Sequence, residues 1–185
     1  MYVIEKNKIK FSHQFNEPIT RSLAEIIRNN NVTEVIFGWD FNQPVENLPT
    51  GIKTIIFCSY YFDLPLNNIP FTVETLKLSK FFDQPLDNLP DSLQTIYFGE
   101  HYNQILEYFP KNLRNIFFPI TGHFNQKFIE YPDNLEVLVL PRNYKKKLED
   151  LPKTLKKLRV HISYPYYHML KMSVHKKDIL DQYIL

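Results

Sequence analysis

The chain is poor in the residues that staple small folds or carry common chemistries. One cysteine, Cys58, in 185 residues excludes an internal disulfide framework and fits a reducing compartment. Four glycines, at 38, 51, 99 and 122, are too scattered to build a phosphate-cradling loop. No stretch approaches the ~18 consecutive apolar residues of a membrane span. Lys6, Lys8 and Lys10 also break the opening "MYVIEKNKIKF" where a secretory signal needs its apolar segment. His13, His101, His123, His161, His168 and His175 are scattered, with no HExxH and no Cys/His pair at metal spacing, and no acid or base is tied to Cys58 by a motif. The sequence therefore offers no catalytic residue, metal site or cofactor site, and it reads as a non-enzyme of the cytoplasm.

What is present is apolar and periodic. Hydrophobic residues make up 44% of the chain and aromatics 15%, too much for a disordered segment, so the chain folds. An aromatic recurs at Phe15, Phe41, Phe62, Phe82, Tyr102, Phe124 and Tyr144, at intervals of 26, 21, 20, 20, 22 and 20. Eight residues after each from the second onward stands a proline: Pro49, Pro70, Pro90, Pro110, Pro132 and Pro152. An aliphatic follows three residues past each proline. Then come Ile55, Leu76, Ile96, Ile116, Leu138 and Leu158, and two residues further Phe57, Leu78, Phe98, Phe118, Leu140 and Val160.

A spacing of two is the side-chain period of a strand. One short strand per unit cannot stand alone, so stacked units must pair their strands in parallel and merge their apolar columns into one core. Twenty residues leave no room for a full helix in the return path, which the prolines predict to be extended or 3₁₀. The polar column after the opening aromatic includes Asn42, Asp63, Asp83, Asn103 and Asn125. Short oxygens there predict turn acceptors, since Asn and Asp alternate and capping needs only an acceptor.

"FNQPVENLPTGIKTIIF", "FDQPLDNLPDSLQTIYF" and "FNQKFIEYPDNLEVLVL" resemble FNIP repeats, units of about 22 residues found in amoebal and giant-virus proteins and related to leucine-rich repeats. The resemblance covers about residues 15 to 160. It departs at Ile105, Lys127 and Lys147, where the motif has Pro, and at Lys145, where it has Asn. It implies a leucine-rich-repeat-like solenoid with one short parallel strand per coil and a mostly non-helical convex side. It also implies a protein-binding role in the cytoplasm, in the host's cytoplasm if the protein is viral. Many members resemble F-box adaptors of ubiquitin ligases; here 14 residues precede Phe15, too few for an F-box, so a ligase link rests on resemblance alone.

The expected organisation is residues 1–40 as N-terminal cap and irregular first repeat, 41–160 as six repeats, and 161–185 as C-terminal cap. "YVIEKNKIKF" predicts a hairpin turning at Lys6-Asn7. "TRSLAEIIRNNN" predicts a helix capped by Thr20 or Ser22, with Leu23, Ile26 and Ile27 facing inward. "SVHKKDILDQYIL" predicts a capping helix over Val174 to Tyr183 with Ser173 as its N-cap.

In such a solenoid the strand side chains that point out of the core line the concave face. The central outward column is Ile36, Ile56, Lys77, Tyr97, Phe117, Val139 and Arg159; five of these seven are apolar or aromatic, more than a solvated sheet face requires. Ile56, Lys77, Tyr97, Phe117, Val139 and Arg159 are accordingly the candidate partner-binding residues, against the alternative that such residues simply suit strands. The next column, from Gly38 and Cys58 through Ser79, Gly99, Pro119 and Pro141 to His161, is expected on the same face.

Net charge is only +2, but residues 1–141 carry 11 Lys and Arg against 16 Asp and Glu, and residues 142–185 carry 11 against 4. Lys145, Lys146, Lys147, Lys156 and Lys157 form a basic patch able to attract an acidic partner or nucleic acid. Glu149 and Asp150 interrupt the run and no nucleic-acid motif is present, so a solvated charged end is favoured. A self-associating assembly protein, pairing through open strand edges, is the other alternative.

Overall fold

The structure, a computed structural model, describes residues 1–173 and 178–183. Its frame is one sheet whose ten described strands stack in chain order. β1 (Tyr2–Glu5) and β2 (Lys8–Phe11) form an antiparallel hairpin whose turn places Lys6 at φ 55°. All later strands add in parallel: β3 (Glu34–Phe37), β4 (Thr54–Phe57), β5 (Thr75–Lys77), β6 (Thr95–Tyr97), β7 (Asn115–Phe117), β8 (Val137–Val139), β9 (Lys157–His161) and β10 (Leu180–Tyr183). Between β3 and β9 the return paths hold turns and extended chain and no helix, as twenty-residue coils require.

The register aligns one inward column, Ile9, Val35, Ile55, Leu76, Ile96, Ile116, Leu138 and Leu158, all buried. Behind it the opening aromatics make a continuous stack. Phe41, Phe62, Phe82, Tyr102, Phe124, Tyr144 and Tyr164 follow one another with ring centroids 6.0 to 6.3 Å apart. Strands in a sheet lie ~4.8 Å apart, so the coils are spread wider at these rings than at the sheet. The sheet therefore lies on the inside of the bend.

The fixed step from proline to aliphatic has a local cause. The carbonyls of Pro70, Pro90, Pro110, Pro132 and Pro152 each accept from the N–H three residues on, at 2.9 to 3.2 Å. That single tight turn swings Val73, Leu93, Leu113, Leu135 and Leu155 into the core. Proline supplies the fixed φ, and the N–H it lacks is not needed there.

α1 (Arg21–Asn29) is capped by Thr20, whose Oγ1 accepts from the Leu23 N–H at 3.2 Å. Its buried face is Leu23, Ala24 and Ile27, whereas Ile26 is 37% exposed rather than inward as expected. At 100° per residue Ile26 lies well away from the centre of that face, and the small Ala24 lets the helix approach the first coil. A short α2 (Tyr167–Met172) follows β9 and buries Tyr167 and Leu170.

The expected terminal helix is corrected. Residues 174–177 of it lie outside the described residues, Ser173 ends α2 instead of capping a new helix, and Leu180–Tyr183 is strand. The physical reason is the open edge of β9. β10 satisfies backbone groups there, with the Leu158 N–H donating to the Ile179 carbonyl at 2.8 Å, and it sets Leu180 beside Leu158 and Asp181 beside Arg159. No helix among the described residues is long and apolar enough to cross a membrane.

Candidate interaction surfaces

The outward column of the sheet runs unbroken in register through Ile36, Ile56, Lys77, Tyr97, Phe117, Val139 and Arg159. Lys77 and Tyr97 are exposed, Tyr97 by 38%; Ile56, Phe117 and Val139 are half-buried. Neighbouring strands press the Tyr97 and Phe117 rings together, with centroids 4.7 Å apart and planes at 11°. On one side they are bordered by Thr75, Thr95 and Asn115, whose Nδ2 donates to Thr95 Oγ1 at 3.0 Å. The result is a shallow aromatic patch with a polar border.

Arg159, at the far end of the column, is engaged. Asp181 of β10 accepts from its Nε at 3.0 Å and its Nη2 at 2.7 Å, and also lies 3.2 Å from Lys157 Nζ. The Arg159 hydrogen bonds, then that of Lys157, hold the Asp181 carboxyl below its ordinary range. Ile56, Lys77, Tyr97, Phe117 and Val139 thus form the open part of the expected site.

The neighbouring column departs from expectation. Gly38, Ser79, Gly99, Pro141 and His161 are buried, and only Cys58 is exposed. The coils close up here: a Cβ on Gly38 or Gly99 would run into the carbonyl of Ser12 or Ser79 in the preceding coil. Ser79 turns inward, its Oγ donating to the Phe62 carbonyl.

The Asn/Asp column does not close its own turns. Each oxygen reaches the next coil: Asp63 Oδ1 accepts from the Asp83 N–H, Asp83 from Asn103, Asn103 from Asn125 and Asn125 from Lys145, every one at 2.8 Å. Asn42 takes part through its own N–H, which donates to Asn16 Oδ1 at 2.8 Å. Turn acceptors within one coil were expected; the bonds these residues make run between coils instead.

The basic patch is largely matched by acids. Lys156 lies 2.8 Å from Glu136, which also takes Arg114 at 2.8 Å; Lys147 lies 3.0 Å from Glu149, which also takes Lys127 at 3.1 Å. The Lys147 pKa is raised, chiefly by its hydrogen bond to Glu149. Lys145 and Lys146 are exposed on the same turn. Among the described residues, no three His, Cys, Asp or Glu side chains cluster to hold a metal ion.

Sequence reasoning missed a second surface. Trp39, Tyr60, Tyr61 and Phe81 are exposed on the flank beyond the strand ends, with rings in contact from coil to coil. The available signal was an aromatic or His one or two residues before six of the eight core aromatics, at 13, 39, 60, 81, 101 and 123.

Comparison with known proteins bears on the fold. The family model "FNIP Repeat" matches residues 41–81 and 82–119. A solved structure described as CroV588, a novel circular LRR protein structure, superposes with a TM-score of 0.71 at 24% identity, over 88% of this chain and 28% of that one. This chain thus spans little more than a quarter of that neighbour. None of the curated proteins matches it.

Proposed function

We propose that this chain, which carries FNIP repeats over residues 41–119 in a leucine-rich-repeat-like solenoid, is a non-catalytic scaffold that binds another protein through its concave face. The observation that supports this reading is the stacked Tyr97–Phe117 pair in the middle of the outward column, with Tyr97 38% exposed. Rigid aromatic anchors at the centre of a shallow surface, here bordered on one side by the hydroxyls of Thr75 and Thr95 and the amide of Asn115, are typical of binding hot spots. Glu74 and Glu136 beside the sheet are paired with Lys53, Arg114 and Lys156 of neighbouring coils, while Lys77 stands exposed beside Tyr97 in the same column, so the aromatic pair is an uncharged centre with one cation at its edge.

The test is affinity capture from the native cell with mass spectrometry, comparing wild type with Tyr97→Ala and Phe117→Ala together. The expected outcome is loss of the specific partners with the thermal midpoint nearly unchanged, because both residues border solvent. A double variant that retains every partner overturns the concave-face reading. A ubiquitin-ligase subunit among the captured proteins would place the scaffold in a targeting role.

The open sheet ends favour a second reading, self-association. The sheet terminates in β1 and β10, and among the described residues no strand pairs with their outer edges. Exposed edges invite pairing, and closing a ring removes them; the solved neighbour is circular. A molar mass in solution above one chain that rises with concentration supports this reading, and a monomer at all concentrations excludes it.

A further inference from the structure

The outward column of the sheet is chemically one-sided. From β2 to β9 it holds three cations, Lys10, Lys77 and Arg159, in register with apolar and aromatic side chains, and no acid. Composition does not explain this, since residues 1–141 carry 16 acids against 11 bases. The acids beside these strands are engaged: Glu34 lies 3.0 Å from Lys8, Glu74 pairs with Lys53, and Glu136 takes Arg114 and Lys156 at 2.8 Å each. Lys10 and Lys77 are exposed and make no ion pair among the described residues.

Arg159 shows what the column accepts. β10 brings Asp181 into register beside it, and that carboxylate accepts from Nε at 3.0 Å and from Nη2 at 2.7 Å. The occupant at this end of the column is thus an extended segment with an acid between Leu180 and Gln182. Lys77 has the same kind of place and no acid of the described chain to fill it. Ile56 and Tyr97 flank it in register, Thr75 stands two residues before it on the same face, and Tyr97 is 38% exposed. An ammonium has only donors, and the Thr75 and Tyr97 hydroxyls can donate as well. A carboxylate set there gains charge-assisted hydrogen bonds, while an apolar side chain next to it meets the Tyr97 and Phe117 rings, 4.7 Å apart.

We propose that the concave face takes an extended acidic segment of a partner protein. Its Asp or Glu carboxylate sits on Lys77, and an aromatic or aliphatic neighbour packs on the Tyr97–Phe117 pair. This rests on the concave-face reading and names the partner's chemistry. Cations among aromatic rings also suit nucleic acid, but two unpaired ammoniums are few for a phosphate backbone, whose affinity grows with the number of phosphates neutralised. Tyr97 and Phe117 also lie nearly parallel, at 11°, and cover one another's faces, which leaves edges rather than platforms for bases.

The test is selection of a phage-displayed library of random peptides on the immobilised full chain, repeated on Lys77→Glu and on Tyr97→Ala with Phe117→Ala. Lys77 is exposed, so its replacement should leave the thermal midpoint unchanged. Wild type should enrich peptides with Asp or Glu beside an aromatic or aliphatic residue. Lys77→Glu should lose these and enrich Lys or Arg in their place, and the aromatic double variant should enrich neither. A synthetic copy of the leading peptide should bind Lys77→Ala about tenfold more weakly than wild type. Replacing its acid by the amide should cost the same factor, with no further loss when the two changes are combined. Peptides that need the aromatic pair but carry no acid, or that bind Lys77→Glu as well as wild type, overturn the acidic occupant and leave the concave-face reading standing. Peptides indifferent to both substitutions, or no enrichment at all, overturn the proposal, and the affinity capture then decides the concave-face reading separately. Tighter binding of an oligothymidylate than of the leading peptide, lost in Lys77→Glu, would make nucleic acid the occupant and overturn it too.

Discussion

Tyr102 and Tyr164 stand in the same aromatic column, yet their hydroxyls meet different fates. Tyr164 donates to the Lys146 carbonyl at 2.8 Å and accepts from the Leu148 N–H at 3.1 Å, and burial pushes its pKa up to about 12. The Tyr102 hydroxyl is fully buried with no hydrogen-bond partner among the described residues, and burial raises its pKa further. Five of the eight coils carry Phe in this column, so the ring alone satisfies the packing. An unpartnered buried hydroxyl costs about 1–3 kcal/mol, and removing it recovers part of that. Tyr102→Phe should therefore raise the denaturation midpoint, by on the order of 1 kcal/mol, whereas Tyr164→Phe should lower it by leaving two backbone groups unpaired. Chemical unfolding of both variants decides this; a destabilised Tyr102→Phe would mean that its hydroxyl has a role the packing does not explain.

Among the elements, the strands and inward columns were legible because a period of about twenty residues overlays a period of two, and both point to the same buried side chains. The N-terminal hairpin and the α1 cap were legible for local reasons, a turn at Lys6-Asn7 and a threonine before an apolar stripe. The ends of long-range bonds were not. Sequence showed that the Asn/Asp column needs an acceptor oxygen, but not that the amide it serves lies a whole coil away. The segment over 180–183 has apolar residues that suit a helix and a strand equally, and the unpaired edge of β9, invisible in the local pattern, decided for the strand. The flank stripe was hidden because its members shift between one and two residues before the core aromatic, which blurs the column. Asp83 tests the coil-to-coil rungs: Asp83→Ala strips the Asn103 N–H of its acceptor and should cost about 1–2 kcal/mol, with faster hydrogen exchange at the Asn103 amide. Asp83→Asn should restore most of the loss, since Asn103 and Asn125 make the same bond with an amide oxygen. Equal losses in both variants would assign the effect to the negative charge instead.

For the whole molecule, charge acts as a second set of rungs on the outside of the stack. Glu136 joins three coils by taking Arg114 and Lys156, and Lys80–Glu100, Lys127–Glu149 and Lys157–Asp181 bridge adjacent coils or strands. The carboxyl pKa of Glu136 is lowered from its ordinary 4.5, first by Lys156 and then by Arg114; Glu149 and Glu100 are lowered in the same direction, chiefly by Lys147 and Lys80. When the folded value lies below the unfolded one, the unfolded chain binds more protons in between. The stabilisation is therefore complete above the ordinary carboxylate range and disappears as pH falls through the lowered values, below about pH 4. These groups are exposed, so salt screens them too. Glu136→Gln should melt below wild type at neutral pH and low salt, and the gap should close both on acidification to about pH 3 and in ~1 M salt. Melting curves of the two proteins across that grid decide it. A gap that survives acid and salt alike would mean that the Glu136 stem packs between coils, and that charge is not what ties the basic C-terminal quarter to the acidic remainder of the stack.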